Sequence, residues 1–278
     1  IIHSKRKYSV MNFLVALQPE ARPLIERLKL KKRNGTHPFP VFEYGTDRLV
    51  ISGIGRIQAA AATGFLLGQC DLRPQAIINL GIAGHGSLDV GTAFLANRIS
   101  HSQERGIYYP PAVFESKIAK SGLQTIDAPE KDYPKPIGYD MEAHAICSIA
   151  YKSVTRELVQ IMKVVSDNPS SPLTKFDPKL ATDLLFENLS NVEEISEKLE
   201  ELEREITMDP DILAILAEMK AKFHYTATQT HQLEKLLLQA HALGLGDNEI
   251  SKFFDSSTDS KYLLSNLQQK LDPLRILR

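Results

Sequence analysis

The sequence predicts an α/β protein with a mixed central sheet and flanking helices, followed by a C-terminal helical extension. Three observations predict it. Up to about residue 189, short apolar runs alternate with segments of helical periodicity, the pattern of a sheet covered by helices. Beyond that point the runs give way to successive charged, amphipathic helical patterns. Between these regions of different character no long Gly/Ser linker intervenes, and the best apolar run, Ala76-Ile-Ile-Asn-Leu, leads directly into Gly81-Ile-Ala-Gly84-His-Gly86. Glycines placed there allow positive φ or close backbone approach where a side chain would obstruct a ligand.

Taken in order, residues 12–17 read as a first strand and 20–28 as a helix with Leu24, Ile25 and Leu28 on one face. Pro23 is tolerable there only if it lies in the first turn. Residues 41–44 and 48–52 form a hairpin-like pair around Gly45, and 55–70 a helix rich in small residues. Strands follow at 76–79, 92–100 and 158–165, with a helix at 141–151. The extension reads as helices over 191–206, 211–223, 228–243, 247–254 and 258–271, interrupted at Pro210, Gly244 and Gly246. Ile195, Leu199, Leu202 and Ile206 form an apolar stripe, while the acidic run between Glu193 and Glu205 is the solvated face of that helix. The expected division is an α/β core over 11–189 and a helical part over 190–278; residues 1–10 are set aside from the fold argument.

Composition narrows the class. The 278 residues carry a formal net charge of −1, so no overall bias favours nucleic acid or a membrane surface. No apolar run approaches the roughly 18 residues of a membrane helix, and Lys5-Arg6-Lys7 is not followed by a signal-peptide pattern; the expectation is a cytoplasmic protein. Cys70 and Cys147 lie in apolar, helix-like segments and read as reduced core residues. His85 and His144 flank the proposed site and are read as packing or hydrogen-bonding residues; no Cys/His/Asp spacing predicts a metal site.

Five short motifs occur in order: Ala16-Leu-Gln-Pro-Glu20, Ile51-Ser-Gly-Ile-Gly55-Arg-Ile-Gln-Ala-Ala, the segment from Asn79 to Gly91, Asp140-Met-Glu142-Ala, and Ser166-Asp167. Together they resemble the nucleoside phosphorylase and nucleosidase superfamily, and most nearly its methylthioadenosine/S-adenosylhomocysteine nucleosidases, over roughly two thirds of the chain. The resemblance implies a nucleoside phosphorylase-like fold, a homo-oligomer, a small-molecule nucleoside as ligand and no cofactor. It implies that Glu20 orients or activates water, that Glu142 binds the ribose hydroxyls with Met141 packed on the sugar, and that Asp167 protonates or hydrogen-bonds the purine N7. Gly81, Ile82 and Ala83 would form a ribose-adjacent or anion-facing loop. Each carboxylate also has an ordinary structural reading: Glu20 as a first-turn acid favoured by the helix dipole, Glu142 as a solvated helix residue, Asp167 as a loop or cap residue.

The chain departs from that pattern in two places. Ile82 stands where many relatives carry serine after the first glycine, removing a hydroxyl that could help hold phosphate, although Arg56 and Arg98 remain available as anion contacts or as surface arginines. Between Ser100 and Asp140 the chain lacks the Ser-Gly-Asp pattern that ends the base-contacting region of adenosine-cleaving relatives. Tyr108, Tyr109 and Phe114 either rebuild a base-stacking wall there or pack a surface loop. The leading expectation is hydrolysis of the N-glycosidic bond of a purine nucleoside or thionucleoside. The alternatives are phosphorolysis, with phosphate as co-substrate, and a catalytically weak nucleoside-binding or interaction protein.

Overall fold

The computed structural model describes residues 11–69, 75–172, 176–206, 210–245 and 247–276. Cys70, Gly246 and residues 1–10 lie outside the described residues. The first unit runs β1 (Met11–Val15), α1 (Gln18–Arg27), β2 (Lys31–Lys32), β3 (Val41–Tyr44), β4 (Asp47–Ile51), α2 (Arg56–Gly68), β5 (Ala76–His85), β6 (Ala93–His101), β7 (Ile107–Tyr108), β8 (Ala119–Thr125), β9 (Gly138–Asp140), α3 (Ala143–Ala150), β10 (Val159–Asp167), α4 (Pro178–Glu187) and α5 (Leu189–Ile206). It is a mixed α/β unit, as the alternation of apolar runs and helical patterns predicts.

The strand order is β10-β6-β8-β9-β5-β1-β4-β3-β2, with β10 also paired to β5. That second pairing closes β5, β10, β6, β8 and β9 into a ring, from which β1, β4, β3 and β2 extend as an open sheet. The strand β5 serves both parts. Ala76 to Leu80 pair with β1, whereas Gly84 and His85 pair with β9. Residues 81–83 fall between these two partners, so one edge of β5 is open there. This is the kind of switch point at which α/β sheets form ligand crevices.

Burial explains the continuous apolar runs. Every residue of β1, and all of β10 except its last, is buried, as strands covered on both faces require. The β3–β4 hairpin turns at Gly45 and Thr46, with Gly45 at φ +61°, a region open to glycine at little cost. Helix α1 differs from its expected start. It begins at Gln18, which puts Pro23 beyond the first turn, where a proline leaves the carbonyl four residues back without its helical partner. The Thr182 hydroxyl of α4 donates to that carbonyl, Pro19 O, at 2.9 Å.

The interval from 100 to 140, for which no strand is expected, contains β7, β8 and β9. Its strands are short or carry few apolar residues, so periodicity does not reveal them; β8 and β9 are held by parallel pairing across the ring.

The chain divides into two compact units after Ile206, one helix later than the expected division at 190. The cause is the apolar face of α5: Val192, Ile195 and Leu199 are buried in the same cluster as β1, β5 and β10. Leu202 is partly buried and Ile206 exposed, so the predicted stripe is used over its first half. Most of the acidic face is exposed or half-buried, but Glu203 is buried. The second unit comprises α6 (Pro210–Lys222), α7 (Ala227–Ala242), α8 (Asp247–Asp255) and α9 (Ser260–Ile276). Its core is aliphatic, built on Ile212, Leu216, Met219, Leu233, Leu237, Ile250, Leu263 and Leu267. Thr226 starts α7 with a reciprocal cap: its backbone N–H donates to Gln229 Oε1 at 2.9 Å and its hydroxyl accepts from the Gln229 backbone N–H. Among the described residues, no helix is long and apolar enough to cross a membrane.

Candidate active site

A cavity of about 540 Å³ opens at the switch point of β5. Glu20, Ile82, Ala83, Met141, Glu142 and Asp167 line it, together with Ile54, Ile126, Pro129, Lys131, Asp140, Ser166 and Phe176. Four elements supply the carboxylates: the first turn of α1, the end of β9, the residue capping α3, and the end of β10. Of the residues to which the resemblance gives a site role, Gly81 alone does not line the cavity.

The glycines act through what they lack, and not as a flexible loop. Strand β5 continues through His85, so Gly81 and Gly84 are strand residues, and neither has positive φ. Lys163 pairs with Gly81 and Asp167 with Gly84 across the β5–β10 ladder. A Cβ on Gly81 would lie 2.9 Å from Glu20 Oε1, and one on Gly84 would lie 2.8 Å from Asp167 Oδ2. At Gly86 it would run into the Lys135 carbonyl. Each missing side chain therefore leaves room for a carboxylate of the cavity or for the wall beside it. A register irregularity between Val165 and Asp167 redirects the end of β10, as bulges beside functional sites do.

Glu20 is a first-turn acid of α1 that also lines the cavity. Its Oε2 accepts the Leu17 backbone N–H at 2.9 Å, closing the start of α1, while its Oε1 accepts the Ile82 N–H at 2.9 Å across the open edge of β5. The amide expected to face an anion is thus already engaged. Glu142 precedes α3 and is buried, not solvated; Oε1 accepts the Gly55 N–H at 2.8 Å and Oε2 the Met141 N–H at 3.3 Å.

A buried ammonium, Lys163, sits among these acids, with Nζ 3.0 Å from Asp140 Oδ2. Asp140 also accepts from Thr125 Oγ1 at 2.7 Å and from the Ala143 N–H at 2.9 Å, tying β8, β9 and α3 together. Burial opposes the Lys163 charge, yet Asp140, Glu142 and Glu20 together hold it protonated above its ordinary range. For the glutamates burial is the dominant influence. It raises Glu20 despite the Ile82 and Leu17 amides and Lys163, and raises Glu142 to about 7 despite Lys163, with Asp140 adding repulsion. Neither Lys163 nor Asp140 is singled out by sequence reasoning for a role. A lysine inside the apolar run 158–165 is the available signal, since a fully buried lysine requires a partner.

Asp167 receives two hydroxyls: Ser166 Oγ donates to Oδ1 and Tyr133 Oη to Oδ2. Tyr133 has φ +46°, a conformation that costs a bulky residue roughly 1–3 kcal/mol, and no pattern in the sequence marks it. Burial, followed by the bond to Asp167, raises its pKa and keeps it a phenol.

Other candidates fall elsewhere. Arg56 is bound to Glu104 and Asp127, and Arg98 is exposed on β6; neither lines the cavity. Tyr108 packs edge-on against His144 and Tyr151, Tyr109 is exposed, and Phe114 packs on the core, so none forms a base-stacking wall. The apolar side of the cavity comes instead from Ile54, Ile126, Pro129 and Phe176. His85 is a buried structural residue: Nδ1 accepts the Ser87 and Leu88 amides, which leaves Nε2–H to donate to Ser121 Oγ at 2.9 Å. Burial lowers its pKa and that of His144. Cys147 is buried, and burial pushes its thiol up to about 12, as an unreactive core cysteine requires.

A closed ring of strands continuous with an open sheet, with a cavity beside β5, matches the nucleoside phosphorylase-like fold of solved nucleosidases. Among solved structures the chain is similar to the Arabidopsis thaliana 5′-methylthioadenosine nucleosidase, at 17% identity and a TM-score of 0.59, over 69% of this chain and 96% of that one. An MTA/SAH nucleosidase aligns at 21% identity and 0.55, over 67% and 95%. The Campylobacter jejuni 5′-methylthioadenosine/S-adenosylhomocysteine nucleosidase aligns at 16% and 0.55, over 69% and 100%. At these identities the likeness establishes the fold. No protein-family profile and no curated protein sequence matches the chain.

Proposed function

We propose that the α/β unit hydrolyses the N-glycosidic bond of a purine nucleoside or thionucleoside. The observation that carries this reading is the convergence of Glu20, Glu142 and Asp167 from three separate elements on one cavity on a nucleosidase fold. In this reading Glu142 accepts the ribose hydroxyls, and its negative charge favours the oxocarbenium-like transition state. Glu20 accepts a proton from the attacking water. As the bond from C1′ to the base nitrogen breaks, its electron pair passes into the base, and Asp167 delivers a proton to N7. Water adds to C1′, giving the free base and ribose or, from a thionucleoside, the correspondingly thio-substituted ribose, and the reaction needs no cofactor.

Two features support water over phosphate as the nucleophile. The Ile82 amide is occupied by Glu20, and both arginines with a possible anion role lie outside the cavity lining. The test is base release from methylthioadenosine, S-adenosylhomocysteine, adenosine, inosine and futalosine, with and without phosphate. Phosphate-independent release, falling about 10²–10⁴-fold in Asp167→Asn, is the expected outcome. Strict phosphate dependence would make the protein a phosphorylase, and binding without release a nucleoside-binding protein.

A further inference from the structure

Tyr133 is not in the resemblance, does not line the cavity, and still donates its hydroxyl to Asp167, the leaving-group acid of the proposed reaction. Its placement is built in several ways. The ring is buried and meets Tyr139 edge-on at 6.2 Å. It lies over Gly84, where a Cβ would come 2.9 Å from its Cε1. The following chain is clamped to the same strands: Lys135 N–H donates to Tyr139 Oη at 3.0 Å, and Gly86 N–H donates to Ile137 O at 3.0 Å. A backbone held at positive φ therefore aims one phenol at one oxygen of Asp167.

We propose that Tyr133 is a positioning residue for the leaving-group acid, an inference that rests on the nucleosidase reading above. A phenol bonded to Oδ2 acts there as a donor, and an oxygen that accepts that bond is disfavoured as the seat of the carboxyl's own proton. Ser166, which donates to Oδ1 of the ionised acid, can rotate its hydroxyl and accept from Oδ1–H, and its alkyl oxygen is a better acceptor than a phenol oxygen conjugated with its ring; the acidic proton of Asp167 is therefore favoured on Oδ1. Ser166 lines the cavity and Tyr133 does not, so Oδ1 is the oxygen that meets a leaving base. Tyr133 fixes which oxygen carries the proton and the angle at which it is presented; Asp167 remains the group that transfers it.

The experiment compares Tyr133→Phe with the unchanged protein on two leaving groups: a purine nucleoside, whose base must be protonated, and 4-nitrophenyl riboside, whose phenolate leaves without a proton. The phenylalanine keeps the ring over Gly84. Turnover of the purine nucleoside is expected to fall about 10–100-fold with KM changed less than about twofold, while the nitrophenyl riboside reacts within about twofold of the original rate. Equal losses on both substrates, or no loss on the purine nucleoside, overturn the inference while leaving the nucleosidase reading intact. Cleavage of neither substrate by the unchanged protein overturns that reading itself. Should the phenylalanine variant not fold, a fluorinated tyrosine at 133, which alters only the donor strength, must change purine turnover selectively or the inference fails.

Discussion

The two compact units solve burial in opposite ways. The α/β unit takes Glu20, Asp140, Glu142 and Lys163 out of water around a cavity, whereas the described buried side chains of the helical unit are aliphatic, with Ser257 the polar exception. Burying ionisable groups lowers stability unless they are paired, and two glutamates with raised pKa values show that pairing here is incomplete. Such an arrangement has a chemical use, because carboxylates of differing proton affinity divide acid, base and charge-stabilising work. The helical unit contains nothing comparable among its described residues; its stability is a matter of packing. The difference supports placing the proposed chemistry in the first unit, on grounds independent of resemblance.

The largest expected effect is at Lys163. Lys163→Met removes the ammonium bonded to Asp140 and leaves the carboxyl groups uncompensated; loss of one partner of a buried pair costs about 3–5 kcal/mol. Chemical denaturation measures it, and a variant as stable as the original protein would show that the cluster is already neutral. Close behind is Leu237→Ala in α7, expected to cost about 2–5 kcal/mol for a fully buried leucine. Its cost should be the same at pH 5 and pH 8, since no ionisable group is among the buried residues that pack there.

The pH dependence of the first unit distinguishes the two directly. Burial raises Glu142 to about 7, so the folded protein holds a proton that the unfolded chain has released. The stability linked to that proton is fully present below the ordinary glutamate range and is lost as pH rises through about 7, on the order of 3 kcal/mol at 1.36 kcal/mol per unit. Glu20 acts in the same direction. Thermal unfolding of the ligand-free protein should therefore shift to lower temperature between pH 5 and 8, and Glu142→Gln, which mimics the protonated form, should flatten that dependence. An unchanged slope in the variant would mean Glu142 is ionised in the folded protein throughout. The smallest effect is at the start of α7, where Thr226→Ala removes a capping hydroxyl and should cost about 1 kcal/mol, without pH dependence.

Much of the fold was legible because its signals are local. Continuous apolar runs predict β1, β5 and β10, and apolar stripes with breaker residues predict the helices of the second unit to within a few residues. What local periodicity does not contain went unread: β8 and β9 exist through pairing across the ring, and α5 joins the α/β core because its apolar face finds that core's residues.

For the site, the motifs led to Glu20, Met141, Glu142 and Asp167, and their order along the chain was enough to anticipate that they converge. The sequence by itself determined most of the elements, since residue type and periodicity are properties of short segments, and its ordered motifs named the side chains that meet at the cavity. Only the tertiary structure decided what surrounds those side chains. It set Lys163 opposite Gly81, gave the Ile82 amide to Glu20, left Tyr108, Tyr109 and Phe114 outside the cavity lining, and brought Tyr133 onto Asp167. Those are contacts between residues far apart in the chain, and proton affinity, orientation and access all follow from such neighbours.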